Sequence, residues 1–352
     1  MGAIIRSVGT YSPQRILTNQ DLERILALSG EETSDEWIVE RTGIKKRRIA
    51  REDESNATMA VEAARDALSR LNEDIPPIEY IILATNTNER LFPNGVGFVQ
   101  AALRESHPGM IKSTAAGCDL NAGCGAINFA HMQADALIQS GFFETILVIG
   151  AEKLSSVTDY SDRGTCILFG DGASAYLLSK AMKDAGFMGH DSRGDGAMRE
   201  AIRCEWQKKV TFYEAIRALD EQRVPVKSLG WKLIMDGRAV FKYVQREFDY
   251  YLGGLKNNRK LNPQGIDFSS VGWINPHLAN RRNLEGKEKQ YPGFLEKCGL
   301  DGDSSEHFCN TSTASQGRRA REFHETARPG EYNLTVGYGA EVASCAGLYR
   351  KP

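Results

Sequence analysis

An α/β fold built from two related halves is what this sequence predicts. Two observations carry it: helical and strand-like stretches alternate along the 352 residues, and one order of elements occurs twice. In the first copy, "TMAVEAARDALSRLNEDIPPIEYIILATNTNE" gives an amphipathic helix, a polar turn with proline, and an apolar strand ending in polar residues. In the second, "GRAVFKYVQREFDYYLGGLKNNRKLNPQGIDFSSVGWINPHLAN" follows the same order. Further along each copy, "FFETILVIGAE" is matched by "PGEYNLTVGYGAE", a strand that runs into a glycine turn. The halves are expected at residues 1–185 and 228–352. The segment between them, 186–227, is more polar and breaks the echo, so it is read as an inserted lid or cap.

Composition narrows the class. Hydrophobic residues make up 41% and charged residues 26%, ordinary values for an ordered soluble chain. A net charge of -2 gives no whole-chain bias toward nucleic acid or membrane. The start, "MGAIIRSVGTYSPQ", lacks the charged head and apolar run of a signal peptide, and no stretch has the length of a membrane span, so a cytoplasmic protein is expected. Seven cysteines without regular spacing, no CxxC pair and no close Cys/His cluster point to neither a disulfide framework nor a metal site. No metal and no cofactor are called for.

In duplicated α/β sheets, function sits at the C-terminal ends of strands, in loops that lead into helices. That rule selects "DLNAGCGAINFA", "NPHLAN", "CNTSTAS" and "GYGAE". After Cys124, residues Ile127, Ala130, Ala134 and Ile138 form a helical stripe that stops at Ser140-Gly141. Cys124 is thereby placed near a helix N-terminus, where the dipole favours thiolate, and its flanking glycines permit a sharp turn. His277 stands where an apolar strand ends and a helix begins. Asn310 fits a site loop, and equally a helix cap or turn. The other cysteines default to small buried hydrophobes, with Cys309 set apart only because it precedes Asn310.

Taken together, "TSDEWIVERTGIKKRRIA", "DLNAGCGAINFA", "DRGTCILFGDGASA", "MDGRAVFKYV", "NPHLANRR", "CNTSTAS" and "GYGAEVA" resemble, in order and over nearly the whole chain, the β-ketoacyl-acyl carrier protein synthase III enzymes of the thiolase superfamily. The resemblance implies a thiolase-like fold in an α-β-α-β-α layering. It implies a Cys124-His277-Asn310 triad that takes an acyl group from acyl-coenzyme A onto Cys124 and condenses it, with loss of carbon dioxide, with malonyl-acyl carrier protein in fatty acid biosynthesis. It also implies an oxyanion hole from the backbone of Cys124 and Ala340, coenzyme A contacts by Trp37, Arg41 and Arg163, carrier-protein docking at Arg282, and an acyl pocket bounded by Phe92 and Phe169. Coenzyme A thioester enters as substrate, and a homodimer is expected.

For single residues the plainer readings stand beside these: a core anchor for Trp37, Phe92 and Phe169, and a solvated charge for Arg41 and for "KKRR" at 45–48. Some residues depart from the family pattern. Gly339 is followed by Ala340 and Glu341 rather than by two further glycines, Leu278 replaces a glutamine, and Cys309 replaces a glycine. The 186–227 insert is also long. These departures leave room for a specialised relative using a longer or carboxylated primer, or a non-condensing acyltransferase. A cysteine hydrolase and a non-catalytic acyl-binding protein are the readings from other classes.

Overall fold

Aliphatic and β-branched runs become strands, and their pairing builds two sheets that copy one another. The computed structural model describes residues 2–181, 185–300, 309–339 and 343–352. The first sheet contains β1 (Ala3–Tyr11), β4 (Ile78–Ala84), β5 (Ile111–Leu120), β6 (Thr145–Glu152) and β7 (Gly172–Lys180), in the order β1-β7-β6-β4-β5. The second contains β8 (Gly186–Gly194), β11 (Val271–Pro276), β12 (Tyr332–Gly339) and β13 (Ala343–Arg350), in the order β11-β12-β13-β8. Two ribbons stand outside the sheets: β2 (Arg15–Thr18) with β3 (Lys46–Ile49), and β9 (Ile202–Lys209) with β10 (Ser228–Met235).

The copy extends to strand direction. β4 and β6 are parallel, as are β11 and β12, while the next two pairings in each sheet are antiparallel. A counterpart of β5 would fall between β11 and Asn310, and residues 301–308 there lie outside the described ones. One boundary needs correcting. Residues 186–194 do not belong to the insert, because β8 pairs with β13 as β1 pairs with β7. Its glycines and charged residues hid a strand whose outer half is exposed.

The described α-helices are α1 (Asn19–Ala27), α2 (Asp35–Thr42), α3 (Asn56–Ser69), α4 (Gly95–Ser106), α5 (Ala126–Gln139), α6 (Arg163–Cys166), α7 (Phe212–Asp220), α8 (Gly237–Phe248), α9 (Arg281–Glu288), α10 (Phe294–Lys297) and α11 (Gly317–Thr326). Helices α3 and α4 cover the outer face of the first sheet, α5 and α11 lie between the sheets, and α8 and α10 pack toward the second. The layering is therefore α-β-α-β-α, as the sequence led us to expect.

Helix α5 shows why the middle layer is specified. Ile127, Ala130, Ala134 and Ile138 are buried, and each isoleucine contributes about 1.5–3 kcal/mol by leaving water. Its other face is also covered, so the polar residues there need partners. Asn128 donates to the Thr335 hydroxyl at 2.9 Å, and the Asp135 carboxylate accepts from the Ala3 N–H at 2.5 Å. The helix is thereby tied to both sheets, to the second at its start and to the first nearer its end.

Candidate active site

Cys124 follows β5 across a turn in which Gly123 has φ +63°, and Gly125 is the N-cap residue of α5. The neighbouring glycines are needed because β12 passes against this turn. A Cβ on Gly125 would lie 3.1 Å from the carbonyl carbon of Gly337 and the nitrogen of Tyr338, and one on Gly339 would lie 3.1 Å from the Cys124 nitrogen. The half-buried thiol therefore stands beside the turn that leaves β12. Ala340, expected in the oxyanion hole, and Glu341 lie outside the described residues.

His277 comes directly after β11, and its N–H donates to the Val336 carbonyl at 2.8 Å. The ring is buried, and loss of water pushes its pKa down to about 3, so it is neutral at any working pH. Its Nδ1 lies 2.7 Å from the Ser315 hydroxyl, which also accepts from the Leu278 N–H at 3.4 Å. The hydroxyl carries one proton and two lone pairs, so it can accept from that N–H and give its own proton to Nδ1, the arrangement that has the ring proton on Nε2. The Tyr338 hydroxyl donates to the His277 carbonyl at 2.7 Å. Ser315 thus holds the ring at Nδ1, and Tyr338 holds the backbone of the same residue.

Asn310 is pinned by its backbone. Its N–H donates to the Leu168 carbonyl at 3.1 Å, and its carbonyl accepts from the Gly170 N–H at 3.0 Å. The side-chain oxygen accepts from the Ser312 N–H at 2.9 Å, which leaves the amide NH2 as the group to offer. Ser312 has φ +48° and donates at 3.0 Å to Glu152, a fully buried carboxylate at the end of β6. Asn86, Thr87 and Thr313 also donate to Glu152, while burial raises its pKa. Nothing in the sequence singled out Ser315 or Tyr338 within the selected loops, or Glu152 at the end of its strand. Their roles depend on contacts between segments far apart in the chain.

A cavity of about 110 Å3 brings Cys124, His277 and Asn310 together, with Phe169 and Tyr338 among its walls. Ile202 and Met235, opposite one another at one end of the β9–β10 ribbon, and Phe241 of α8 also line it. Phe169 lines this cavity. Phe92 does not line this cavity within its own chain. It is 82% exposed beside Pro93, in the loop after β4, although the family resemblance implied a pocket wall there. A larger polar cavity, about 420 Å3, lies on the far side of the Ser315 loop and includes Arg48, Arg318 and Cys309, but none of the triad.

Trp37, Arg41 and Arg163 form one cluster. The Arg41 and Arg163 guanidinium carbons lie 4.5 and 4.6 Å from the Trp37 ring centroid. Trp37 and Arg163 open onto a recess of about 490 Å3 that includes Asp162, Lys227 and Lys232. This recess is separate from the triad cavity. The Asn280 side chain, three residues past His277, donates to the Arg41 carbonyl at 3.2 Å and joins the two regions. Arg282, in the first turn of α9, is exposed. The basic run at 45–48 is not a uniform docking charge, since Arg47 is fully buried. Its guanidinium donates to Asn19 and the Ile167 carbonyl, and burial pulls its pKa down to about 10.

The family model of 3-oxoacyl-[acyl-carrier-protein (ACP)] synthase III matches residues 118–196, which contain Cys124. The β-ketoacyl-[acyl-carrier-protein] synthase III 2 of Bacillus subtilis is 34% identical over 317 residues, 89% of this chain and 87% of that protein. The β-ketoacyl-[acyl-carrier-protein] synthase III of Hyphomonas neptunium is 34% identical over 99% of this chain and 98% of its own.

The chain belongs to the β-ketoacyl-[acyl-carrier-protein] synthase III family.

The crystal structure of the synthase III from Thermus thermophilus superposes with a TM-score of 0.81 at 31% identity, covering 99% of both chains. This synthase III family member is accordingly a ketosynthase of fatty acid biosynthesis, with the thiolase fold and an acyltransferase-type activity. Among the described residues no helix is long and apolar enough to cross a membrane.

Proposed function

We propose that Cys124 accepts an acyl group from acyl-coenzyme A and that His277 and Asn310 then promote its decarboxylative condensation with malonyl-acyl carrier protein. The observation that carries this reading is the meeting of a nucleophile with two neutral donors in one small cavity. Cys124 Sγ bonds to the thioester carbon, and coenzyme A leaves as its thiol. The Cys124 N–H, with that of Ala340, receives the negative oxygen of the tetrahedral intermediate. The malonyl carboxylate is lost as carbon dioxide, and the electron pair of the broken C–C bond becomes an enolate. Its oxygen accepts hydrogen bonds from His277 Nε2 and Asn310 Nδ2. The enolate carbon then bonds to the acyl carbon, and the Cys124 thiolate leaves.

A buried, neutral histidine suits this step. Decarboxylation needs donors to a developing oxyanion and no base, which the Ser315 contact to Nδ1 supports. Trp37, Arg41 and Arg163 bind the nucleotide end of coenzyme A, with Arg163 turning aside to let the base stack on Trp37. Arg282 meets the acidic carrier protein, and the enzyme works in the cytoplasm without a metal or bound cofactor.

We place a second copy of the chain along β5, the edge strand of the first sheet, where Lys112, Ser113, Thr114 and Ala116 are exposed. Leu91, Phe92 and Phe98 are exposed on the same flank, which Asp119 of β5 ties to the start of α4. Burying them favours a dimer, and light scattering that shows a monomer at working concentration would remove this assignment.

The function is tested by intact mass. Acyl-coenzyme A should add one acyl group to the wild type and none to Cys124→Ser, and malonyl-acyl carrier protein should then discharge it as a β-ketoacyl product. Discharge to water alone would leave a hydrolase.

A further inference from the structure

Five large apolar side chains stand in water on one surface outside the catalytic cavity. Trp206 of β9 and Trp231 and Leu229 of β10 are 58%, 52% and 62% exposed, and Val224 and Val226 in the loop before β10 are 72% and 64% exposed. The register pairs Trp206 with Trp231 and Lys208 with Leu229, so these side chains share one face of the ribbon. The indoles meet edge to face at 5.5 Å, which holds them as a single surface. On the opposite face two side chains reach the body of the protein: Lys232 pairs with Asp159 at 2.8 Å, and Lys209 reaches the Ser156 carbonyl. An exposed aromatic pair of this kind marks an interaction surface.

Position and charge decide what covers it. One end of the ribbon, Ile202 and Met235, lines the cavity with Cys124, while Lys232 and the adjoining Lys227 line the recess with Trp37. A protein that delivers a thioester to Cys124 must sit over this region. At about 800 Å2 per partner, its footprint extends ~16 Å from its centre, enough to reach the outer face of the ribbon. Lys208 and Lys227 beside the tryptophans, Arg238 and Lys242 on α8, and Arg282 on α9 are exposed, and no ion pair joins them to another described residue. Such a surface suits a partner that is acidic around an apolar centre.

We infer that the outer face of the β9–β10 ribbon is a docking surface for the acidic carrier protein that brings the malonyl group. Trp206 and Trp231 supply its apolar anchor, and the surrounding lysines and arginines supply its orientation. This rests on the carrier-protein reading above and adds a surface to it. Acyl-coenzyme A has no protein to dock and does not use the ribbon.

The test compares two half-reactions in full-length enzyme. Trp206→Ser with Trp231→Ser should raise KM for malonyl-acyl carrier protein by about ten-fold or more with kcat little changed, as expected for loss of paired aromatic anchors. The rate at which acyl-coenzyme A loads Cys124, read by intact mass, should stay within two-fold. Lys208→Glu, which removes no packing, should weaken binding to immobilised malonyl-acyl carrier protein more at low salt than at high salt. Unchanged KM and binding in both variants overturn the assignment. So does equal loss of both half-reactions, which would make the ribbon a structural wall, or a change in oligomeric state, which would make it a contact between copies. If wild type binds the carrier protein through the ribbon but makes no β-ketoacyl product, the condensing function fails while the docking surface stands.

Discussion

Acidification provides the most direct test of a neutral His277. Its native pKa is about 3 because the ring is buried, while in the unfolded chain it returns to ~6.5. Between those values the unfolded chain binds a proton that the native protein excludes, so stability present above pH 6.5 is lost as the pH falls toward 3. From pH 7 to pH 5 the loss for this one group comes to roughly 2 kcal/mol. Urea unfolding of wild type and His277→Gln at the two pH values reads it as a difference. The variant should lose about 2 kcal/mol less than wild type, since only the histidine takes up the extra proton. Condensation from preloaded acyl-enzyme should show no inflection from His277 between pH 5 and 8. Parallel stability losses in the two proteins, or a rate inflection that disappears with the histidine, would mean that the ring is charged in the native site and that the donor role is wrong.

Three further outcomes follow from the same contacts. Ser315→Ala removes the hydroxyl 2.7 Å from Nδ1 and should slow condensation about three- to ten-fold, the equivalent of one ordinary hydrogen bond, while Cys124 still acylates. Nitrogen NMR of labelled His277 should then show a mixture of tautomers in place of the Nε2–H form. Gly150→Ala puts a Cβ 2.5 Å from the Thr313 carbonyl oxygen beneath the Asn310 loop. It should destabilise the protein by about 1–3 kcal/mol in urea melts and slow condensation more than acylation. Trp37→Ala should raise KM for acyl-coenzyme A about ten-fold, from loss of one base stack, and leave KM for a short acyl-pantetheine thioester unchanged in the same assay.

Much of this protein is visible in local chemistry. Periodicity separates the helices from the strands, and the repeated order of elements announces two sheets. The glycines around Cys124, the strand end before His277 and the polar loop at Asn310 mark the three site loops, because each sequence changes character where a strand gives way to a turn. The strand β8 escaped notice because glycines and polar residues interrupt its apolar pattern, and only pairing with β13 shows it to be part of a sheet. The expected wall residue Phe92 is apolar but turned to solvent, and Arg47 is charged but buried, since burial depends on which remote segments arrive beside a residue.

By itself the sequence determined the α/β class and the duplication and marked the loops that carry Cys124, His277 and Asn310, because these depend on patterns a few residues long. Tertiary structure decided the rest. The His277 ring is held by Ser315, thirty-eight residues away, and the Asn310 loop depends on Glu152, one hundred and sixty residues from Ser312. The Trp206–Trp231 surface exists only because two strands separated by α7 pair in one register. Hydrogen bonds and burial act through space, and proximity between distant segments is set by packing both sheets around the shared middle layer.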